Sequence, residues 1–222
     1  MKFVAVLSAL CVTAAACGSA RDAPPIALPE NAQPSAIYDA NGTLITTLGE
    51  ENRRNVALEQ IPRSLQDAVV AIEDARFWTH NGVDPRAVAR AAGANAQAGG
   101  VAEGGSTITQ QYVKNALLTP EQTLGRKVEE ATTALALERN YSKQLILELY
   151  LNTIYLGNGA YGVSAAAQEY FGVPVEDLTL EQSAMIAGII QAPSRHDPRT
   201  DPVAAVQRRN LVLQRMREQQ LI

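Results

Sequence analysis

Helix-start signals recur along most of this chain, and they constrain its fold more than any other feature of the sequence. Seven positions carry a typical N-cap residue ahead of an apolar run: Ser64, Asp84, Thr107, Thr119, Ser142, Thr179 and Asp201. Each of the three threonines is followed three positions later by a glutamine, which is the spacing of a capping box. Proline follows Asp84 and Asp201, at the first helical position, where it is best tolerated. The chain is therefore predicted to be mainly α-helical.

Other turn signals bound these elements. Gly99-Gly100 is predicted to end the helix that begins at Asp84, and Gly172 to end an apolar helix from Val163 to Phe171. Asn41-Gly42, between "AIYDA" and "TLITTL", is the strongest short signal for a β-hairpin with a two-residue turn. The predicted fold is thus mainly α, with a small N-terminal β-hairpin.

The first 35 residues are predicted to precede the folded domain. A basic residue and an uncharged run make residues 1–17 a signal or anchor segment, and the four prolines in residues 18–35 indicate a tether. The stretch "AAAC" resembles a lipoprotein lipobox, so lipidation of Cys17 stands beside a plain signal and an uncleaved anchor. All three alternatives place the domain, residues 36–222, outside the cytoplasm. We expect it at the periplasmic face of the cell membrane, held by a lipid at Cys17 or by the hydrophobic segment.

Composition narrows the class of protein. The chain of 222 residues is 46% hydrophobic, which suits one globular domain, and both cysteines fall in its first 17 residues, so a packed core must replace disulfides. The net charge of −4 argues against nucleic acid as a partner. No Cys/His cluster has metal-ligand spacing. An anionic ligand would therefore need a local basic cluster.

Two adjacent carboxylates end the first predicted helix, which has Leu65, Ala68, Val69 and Ile72 on one face. If this helix runs from Leu65 to about Asp74, Glu73 lies in its last turn, where the helix dipole raises a carboxyl pKa. Phe77 and Trp78 are expected to desolvate it further, which suits proton transfer near neutral pH. The alternative from this stretch alone is a solvated pair at a fraying helix end.

Four more stretches have both a structural and a functional interpretation. The glycine-rich loop "GGVAEGGSTITQQYVKN" predicts an anion site at a helix start, with Lys114 two turns further on, or else a mobile loop before a capped helix. In "TLGRKVEEATTALALERN", Leu124, Val128, Ala131 and Leu135 are the predicted buried stripe, and Arg126 and Glu130 point away from it as a catalytic or a surface pair. Lys143 lies in a first helical turn, where a cation is disfavoured unless an anion compensates. Arg208 and Arg209 form a basic edge.

Five motifs stand in order: "EDARFWTHNG" (73–82), "GGSTITQQ" (104–111), "RKVEE" (126–130), "KQLILELYLN" (143–152) and "RRNLVL" (208–213). Together they resemble the peptidoglycan glycosyltransferase family, the domain that also forms the first half of bifunctional penicillin-binding proteins. The resemblance covers roughly residues 36–217. Two departures are the short, lipobox-like start in place of a membrane span, and Tyr112 where the family often has Leu.

The resemblance implies a lysozyme-like, two-lobed helical fold and the polymerisation of lipid II into β-1,4-linked glycan, with inversion and release of undecaprenyl diphosphate. Glu73 is then the catalytic base, and Glu130 the second catalytic residue, which holds the sugar and diphosphate region. Cations implied to meet phosphate are Lys114, Arg126, Lys127 and Lys143. Further substrate-binding residues implied are Asp74, His80, Gly105, Ser106, Thr107, Gln110, Gln111, Asn115, Asn152, Arg208 and Arg209.

The resemblance also implies the partners. These are lipid II, the growing glycan on its undecaprenyl diphosphate, the membrane surface and other cell-wall synthesis proteins. A divalent cation, Mg or Mn, often assists in the family, although the sequence identifies no ligands for it, and no organic cofactor is expected. The sequence contains no Ser-x-x-Lys and no Lys-Thr-Gly, so polymerisation without crosslinking is expected.

Two other functions share parts of this pattern. A murein hydrolase or lyase would keep a lysozyme-like cleft but act on finished glycan, which offers the basic motifs no diphosphate. A non-catalytic, membrane-tethered binding module would require Glu73 to be dispensable.

Overall fold

The computed structural model describes residues 26–29, 35–42, 44–48, 52–100, 104–118 and 124–222. The segment with Cys17, most of the predicted tether and the helix start predicted at Thr119 lie outside these residues. Within them the chain forms eight α-helices and four short strands. The helices are α1 (Arg63–Glu73), α2 (Pro85–Ala98), α3 (Ile108–Ala116), α4 (Leu124–Asn140), α5 (Lys143–Thr153), α6 (Val163–Phe171), α7 (Leu180–Ile189) and α8 (Pro202–Glu218). The strands are β1 (Ser35–Tyr38), β2 (Leu44–Leu48), β3 (Asn52–Arg53) and β4 (Ala160–Tyr161).

The predicted N-terminal hairpin is confirmed, but the prediction that a two-residue turn connects its strands is wrong. β1 and β2 are antiparallel, and Tyr38 pairs with Leu44, so the connection is longer. The tight turn begins at Asp39, whose carbonyl oxygen accepts the Gly42 N–H at 3.1 Å and whose carboxylate accepts the Asn41 N–H at 2.8 Å. The aspartate side chain bonds to the backbone two residues on, and this fixes where the turn starts.

Most predicted helix starts are confirmed by their capping bonds. Thr107 and Thr179 form capping boxes with Gln110 and Gln182. The side chains of Asp84, Ser142 and Asp201 also accept N–H bonds from the first turns of α2, α5 and α8. Gly99 and Gly172 end α2 and α6 in the left-handed conformation, as predicted. Local sequence therefore determines where these helices begin and end.

The first helix starts earlier than predicted. Pro62, not Ser64, is the N-cap of α1, because its carbonyl oxygen accepts the N–H groups of Leu65 and Gln66. The Ser64 hydroxyl instead lies 3.0 Å from that of Ser183 on α7. A long-range contact between α1 and α7 thus uses the side chain that the sequence offered as a cap.

Two groups of packed helices form the core. α1 packs against α7 and α8, and α3 packs against α4 and α5. On α1, Leu65, Ala68 and Val69 are fully buried, as their spacing predicts. The residues of α7 from Ser183 to Ile189 are buried on all sides, so α7 is a central helix of the core.

The predicted buried stripe of α4 is wrong. Val128 is 63% exposed and Leu135 37% exposed, whereas Glu130, Ala134 and Leu137 are buried. The buried face is set by a close approach of backbones: a Cβ on Gly82 would lie 2.6 Å from the carbonyl oxygen of Ala134. A small residue is needed at this contact. The packing of α4 therefore turns Glu130 inward and leaves apolar side chains outside.

Candidate active site

A cleft of about 1270 Å³ runs across the helical domain. Its walls come from helices α1 to α4 and α8, from the end of α5, from β3 and β4, and from the loop after α7. Seven of the residues predicted for the site line this cleft: Glu73, Ser106, Gln111, Lys114, Asn115, Glu130 and Arg208. The structure thus brings together residues that lie up to 135 positions apart in the sequence.

Glu73 is the last residue of α1 and faces the cleft. Its Oε2 accepts a hydrogen bond of 3.0 Å from Nε2 of Gln111 on α3. Burial of the carboxyl group raises the pKa of Glu73, and adjacent Asp74 adds to the rise, while the Gln111 bond and the positive charge of Arg208 oppose it. The raised pKa predicted from the sequence is confirmed in direction, and burial is its main cause.

The aromatic residues after Glu73 do not have the position expected of them. Phe77 is fully buried, Trp78 is 39% exposed, and neither is among the residues that line the cleft. The Phe77 N–H bonds back to the carbonyl oxygen of Asp74 at 2.9 Å, so the chain turns away from Glu73 at once. The rings therefore do not form a wall of the cleft beside Glu73.

Asp74 and His80 form a buried pair behind Glu73. The Asp74 Oδ2 accepts from His80 Nε2 at 2.8 Å and from the Ile108 N–H at 3.0 Å. The Gly82 N–H points at His80 Nδ1, which places the ring hydrogen on Nε2, facing Asp74. Both side chains are outside the residues that line the cleft. They fix the loop after Glu73 to the start of α3.

Lys143 is paired within the protein. Its Nζ lies 2.7 Å from Oε2 of Glu138 and 4.3 Å from the ring centre of Phe77. It is not among the cleft-lining residues. Glu138 supplies the negative charge that compensates a lysine at a helix start. The position of Lys143 therefore gives no reason to expect an external anion. The sequence did not predict this pair, because no pattern within α4 distinguishes Glu138 from its other charged residues.

The second predicted catalytic carboxylate, Glu130, is buried on α4 and lines the cleft. Lys127 Nζ bonds to this carboxylate and also donates to the Ser106 hydroxyl at 2.9 Å. Glu130 is therefore not part of a solvated surface pair. A buried carboxylate, its lysine and a loop hydroxyl form one connected group at the cleft wall.

The glycine-rich loop and the start of α3 divide into structural and cleft-facing residues. Thr107 caps α3 with Gln110 and donates its hydroxyl hydrogen to the Gly82 carbonyl oxygen at 2.6 Å. Gly105 packs closely on α2, where an added Cβ would lie 3.1 Å from Val88 Cα. By contrast, Ser106, Lys114 and Asn115 line the cleft.

Lys114 is exposed, and no described residue forms an ion pair with it. It is thus the cation on α3 that is open to an anionic ligand.

The remaining predicted residues fall on both sides of this division. Asn152 is buried and clamps Val56, donating from Nδ2 to its carbonyl oxygen at 2.9 Å and accepting its N–H at 3.0 Å. Arg208 lines the cleft near Glu73, whereas Arg209 bonds to the side chain of Asn210. Arg126 is half-buried and outside the cleft lining.

The site also contains a residue that the sequence analysis did not single out. Tyr150 on α5 is fully buried, and its hydroxyl donates to Oε1 of Gln111 at 2.9 Å. The only sequence signal was its apolar helical face, which is the same for any core residue.

Two absences hold for the part of the chain that the structure describes. None of its helices is long and apolar enough to cross a membrane. No group of three or more His, Cys, Asp or Glu side chains in the same part could hold a metal ion.

Comparison with known proteins agrees with this arrangement. The chain is 51% identical over 187 residues to penicillin-binding protein 1A of Aquifex aeolicus, covering 84% of this chain and 26% of that protein. It is 50% identical over 183 residues to penicillin-binding protein 1A of Escherichia coli, covering 82% and 22%. The chain therefore spans about a quarter of the length of these relatives.

A solved structure and a family model complete the comparison. The 2.6 Å crystal structure of penicillin-binding protein 1A from Haemophilus influenzae matches with a TM-score of 0.50 and 32% identity, over 88% of this chain and 20% of that one. This likeness and the eight described helices confirm the mainly α, lysozyme-like fold. The family model described as transglycosylase matches residues 41–217. The five motifs, the cleft that four of them line and these matches show that the chain belongs to the transglycosylase family.

Proposed function

We propose that this chain is a peptidoglycan glycosyltransferase that polymerises lipid II into β-1,4-linked glycan strands and releases undecaprenyl diphosphate. The observation that carries the proposal is Glu73, a carboxylate with a raised pKa that faces a cleft shared with Lys114 and Arg208. A proton acceptor and cations in one cleft suit a reaction in which a hydroxyl loses a proton while a diphosphate departs.

Glu73 is the proposed base. It removes the proton from the 4-hydroxyl of the GlcNAc unit of incoming lipid II, and that oxygen attacks the anomeric carbon of the MurNAc at the end of the growing chain. The bond from this carbon to the diphosphate oxygen breaks, and its electron pair leaves with undecaprenyl diphosphate. Attack opposite the leaving group inverts the anomeric centre. A raised carboxyl pKa brings the base closer to the working pH and so aids the transfer.

The cleft cations are proposed to stabilise the leaving group. Lys114 is exposed and free of ion pairs among the described residues, so its charge is available to the diphosphate. Lys127 is half-exposed, lies outside the cleft lining and bonds to Glu130 and Ser106, and its proposed role is to hold the sugar and phosphate region against that carboxylate. Fixed charges aimed at a developing negative charge lower the barrier without reorganisation during the reaction.

A divalent cation is the one cofactor proposed. The described residues contain no set of three or more side chains that would hold it. These residues therefore offer no protein-only ligand set for a resident ion.

The membrane surface is the proposed site of action, because lipid II is a membrane lipid. Apolar side chains face outward on the helices beside the cleft: Val88 is 45% exposed on α2, and Val128 and Leu135 are exposed on α4. Trp78, after α1, is exposed as well. These exposed apolar side chains are available for contact with lipid. We propose that the chain is held at the periplasmic face of the membrane by a lipid at Cys17 or by the first hydrophobic segment.

One experiment separates the proposed function from its rivals. The purified protein is incubated with fluorescent lipid II and, separately, with finished sacculi, and products are resolved by size. We expect polymer from lipid II and no fragments from sacculi. Fragments would favour a murein hydrolase or lyase, and no product from either would favour a binding module.

The same assay tests the base. Glu73→Gln is expected to lower polymerisation by ~10²- to 10⁴-fold, because the amide keeps the shape of the side chain and cannot accept the proton. Glu176→Gln is the matched control, since Glu176 is exposed and outside the cleft lining. Turnover of the Glu73 variant above a tenth of wild type would reject it as the base.

A further inference from the structure

Glu73, Gln111 and Tyr150 form a chain of two hydrogen bonds that joins three helices. Gln111 Nε2 donates to Glu73 Oε2 at 3.0 Å, and the Tyr150 hydroxyl donates to Gln111 Oε1 at 2.9 Å. We propose that Tyr150 is a positioning residue, which acts through Gln111 to keep Glu73 in the orientation and charge state of a proton acceptor. This inference rests on the proposed function, in which Glu73 is the base.

The two ends of the Gln111 amide differ chemically. Its nitrogen only donates hydrogen bonds and its oxygen only accepts them. A carboxylate at position 73 can be met only by the nitrogen, because the oxygen would repel it. The amide therefore has one orientation that suits charged Glu73 and a reversed one that suits protonated Glu73.

Tyr150 selects between these two orientations. In the observed one, its hydroxyl hydrogen meets the amide oxygen. Burial raises the pKa of Tyr150 well above its ordinary value, and the nearby charges of Glu73 and Asp74 add to this. The phenol thus keeps its hydrogen, and among the described residues the Gln111 oxygen is its acceptor. A reversed amide would leave this buried hydrogen without an acceptor, which favours the orientation that points the amide nitrogen at Glu73.

The chain opposes the effect of burial on Glu73. Burial disfavours the carboxylate, whereas a donor held against it favours the charged form. Other charged groups near Glu73 are Arg208 from α8 and its own neighbour Asp74, and Lys114 and Glu130 line the same cleft. None of them bonds to Tyr150 in the structure, so removing the phenol hydroxyl leaves them in place.

Tyr150→Phe isolates the hydroxyl, because the ring that fills the core is retained. The substitution removes the donor to the Gln111 oxygen and leaves that oxygen unpaired. The amide can then reverse, so that its oxygen accepts a hydrogen bond from the protonated form of Glu73. The pKa of Glu73 then rises. Since the base works only when deprotonated, the acidic limb of the kcat profile should move to higher pH by about one unit, with about a fivefold loss of kcat at the old midpoint. KM for lipid II should change little.

Tyr112→Phe is the matched control. Tyr112 is equally buried and lies beside Gln111 on α3. Its hydroxyl bonds to none of Glu73, Gln111 and Tyr150, so removing it should leave the acidic limb unchanged. Gln111→Met tests the intermediate link: it should shift the limb as Tyr150→Phe does, and the double variant should match Gln111→Met alone. Additive effects, or an unmoved limb in Tyr150→Phe, would overturn the proposal.

Failure of the hydrogen-bonded chain Tyr150–Gln111–Glu73, called the relay below, can be distinguished from failure of the proposed function. If Glu73→Gln still polymerises lipid II, the base assignment fails. If Glu73→Gln is inactive and Tyr150→Phe keeps the wild-type acidic limb, only the relay fails. Should Tyr150→Phe unfold below the assay temperature, Gln111→Met alone decides, because an unmoved limb in that variant also removes the relay.

Discussion

Lys143 and Glu138 form a buried ion pair that joins the end of α4 to the start of α5. The Lys143 Nζ lies 2.7 Å from Glu138 Oε2, and their side chains are 18% and 4% exposed. The same carboxylate accepts from the Thr109 hydroxyl of α3. Three helices therefore meet at one carboxylate, which the lysine neutralises.

Lys143→Met should destabilise the fold. It leaves the Glu138 charge buried without its cation, which costs about 3 kcal/mol, whereas relief at the helix start is worth about 0.5 kcal/mol. The melting temperature should fall by roughly 6 to 12 °C for a chain of this size. The double variant with Glu138→Gln should recover most of the loss, since no unpaired charge remains. An unchanged melting temperature with much slower polymerisation would instead mark Lys143 as a phosphate ligand.

Lys114→Gln should lower activity with little effect on stability, in contrast to Lys143→Met. Lys114 is exposed and lines the cleft without an ion pair to any described residue, so its loss should change stability by less than about 0.5 kcal/mol. Polymerisation should slow by ~10²-fold, because a cation is removed from the departing diphosphate. Arg139→Gln, an exposed site outside the cleft lining, is the control for lost charge. Equal turnover in the two variants would remove Lys114 from the site.

Glu73→Gln should stabilise the protein at neutral pH. The folded-state pKa of Glu73 is raised, so the native state disfavours the charged form, and this cost is present above the folded pKa. As the pH falls below the ordinary glutamate pKa of about 4.3, the wild-type group is protonated in both states and the difference vanishes. Thermal melts of both proteins across this range measure it. A variant less stable than wild type at pH 8 would contradict the assigned cause.

Gly82→Ala should be among the most destabilising substitutions in the chain. Gly82 has φ of +92°, and an added Cβ would lie 2.6 Å from the backbone oxygen of Ala134, which cannot move aside cheaply. The expected loss is about 3 kcal/mol or more. Gly159→Ala is the matched case: its φ is +74° with nothing within 4 Å, so it should lose only about 1 kcal/mol. Equal losses, measured by chemical denaturation, would show that backbone conformation alone is responsible.

Cys17→Ser tests the anchor. If Cys17 carries a lipid, the variant should lose acyl labelling and part of the protein should leave the membrane fraction, since an acyl chain adds ~0.8 kcal/mol of affinity for each buried CH₂. Cys11→Ser is the control in the same segment. Unchanged size and labelling in the Cys17 variant would show that the peptide itself is the anchor.

Local chemistry made much of the fold predictable. Thr107 and Thr179 bond to groups within three residues, and Gly172 adopts its helix-ending conformation without help from distant parts of the chain. The place of Glu73 at a helix end followed from the same kind of reasoning. Such short-range interactions can be predicted from the sequence, because both partners lie within one or two helical turns of each other.

Pairing between helices was decided by the tertiary structure. The sequence alone determined most of the helices and most of their caps, and the five motifs that mark the family. It did not determine that Glu130 faces inward on α4, that Glu138 neutralises Lys143, or that Tyr150 reaches Glu73 through Gln111. Helical periodicity shows which residues share a face, but the partner of that face depends on how the helices pack. The Glu73–Gln111 and Gln111–Tyr150 bonds join residues 38 and 39 positions apart, a distance that only the assembled core brings to 3 Å.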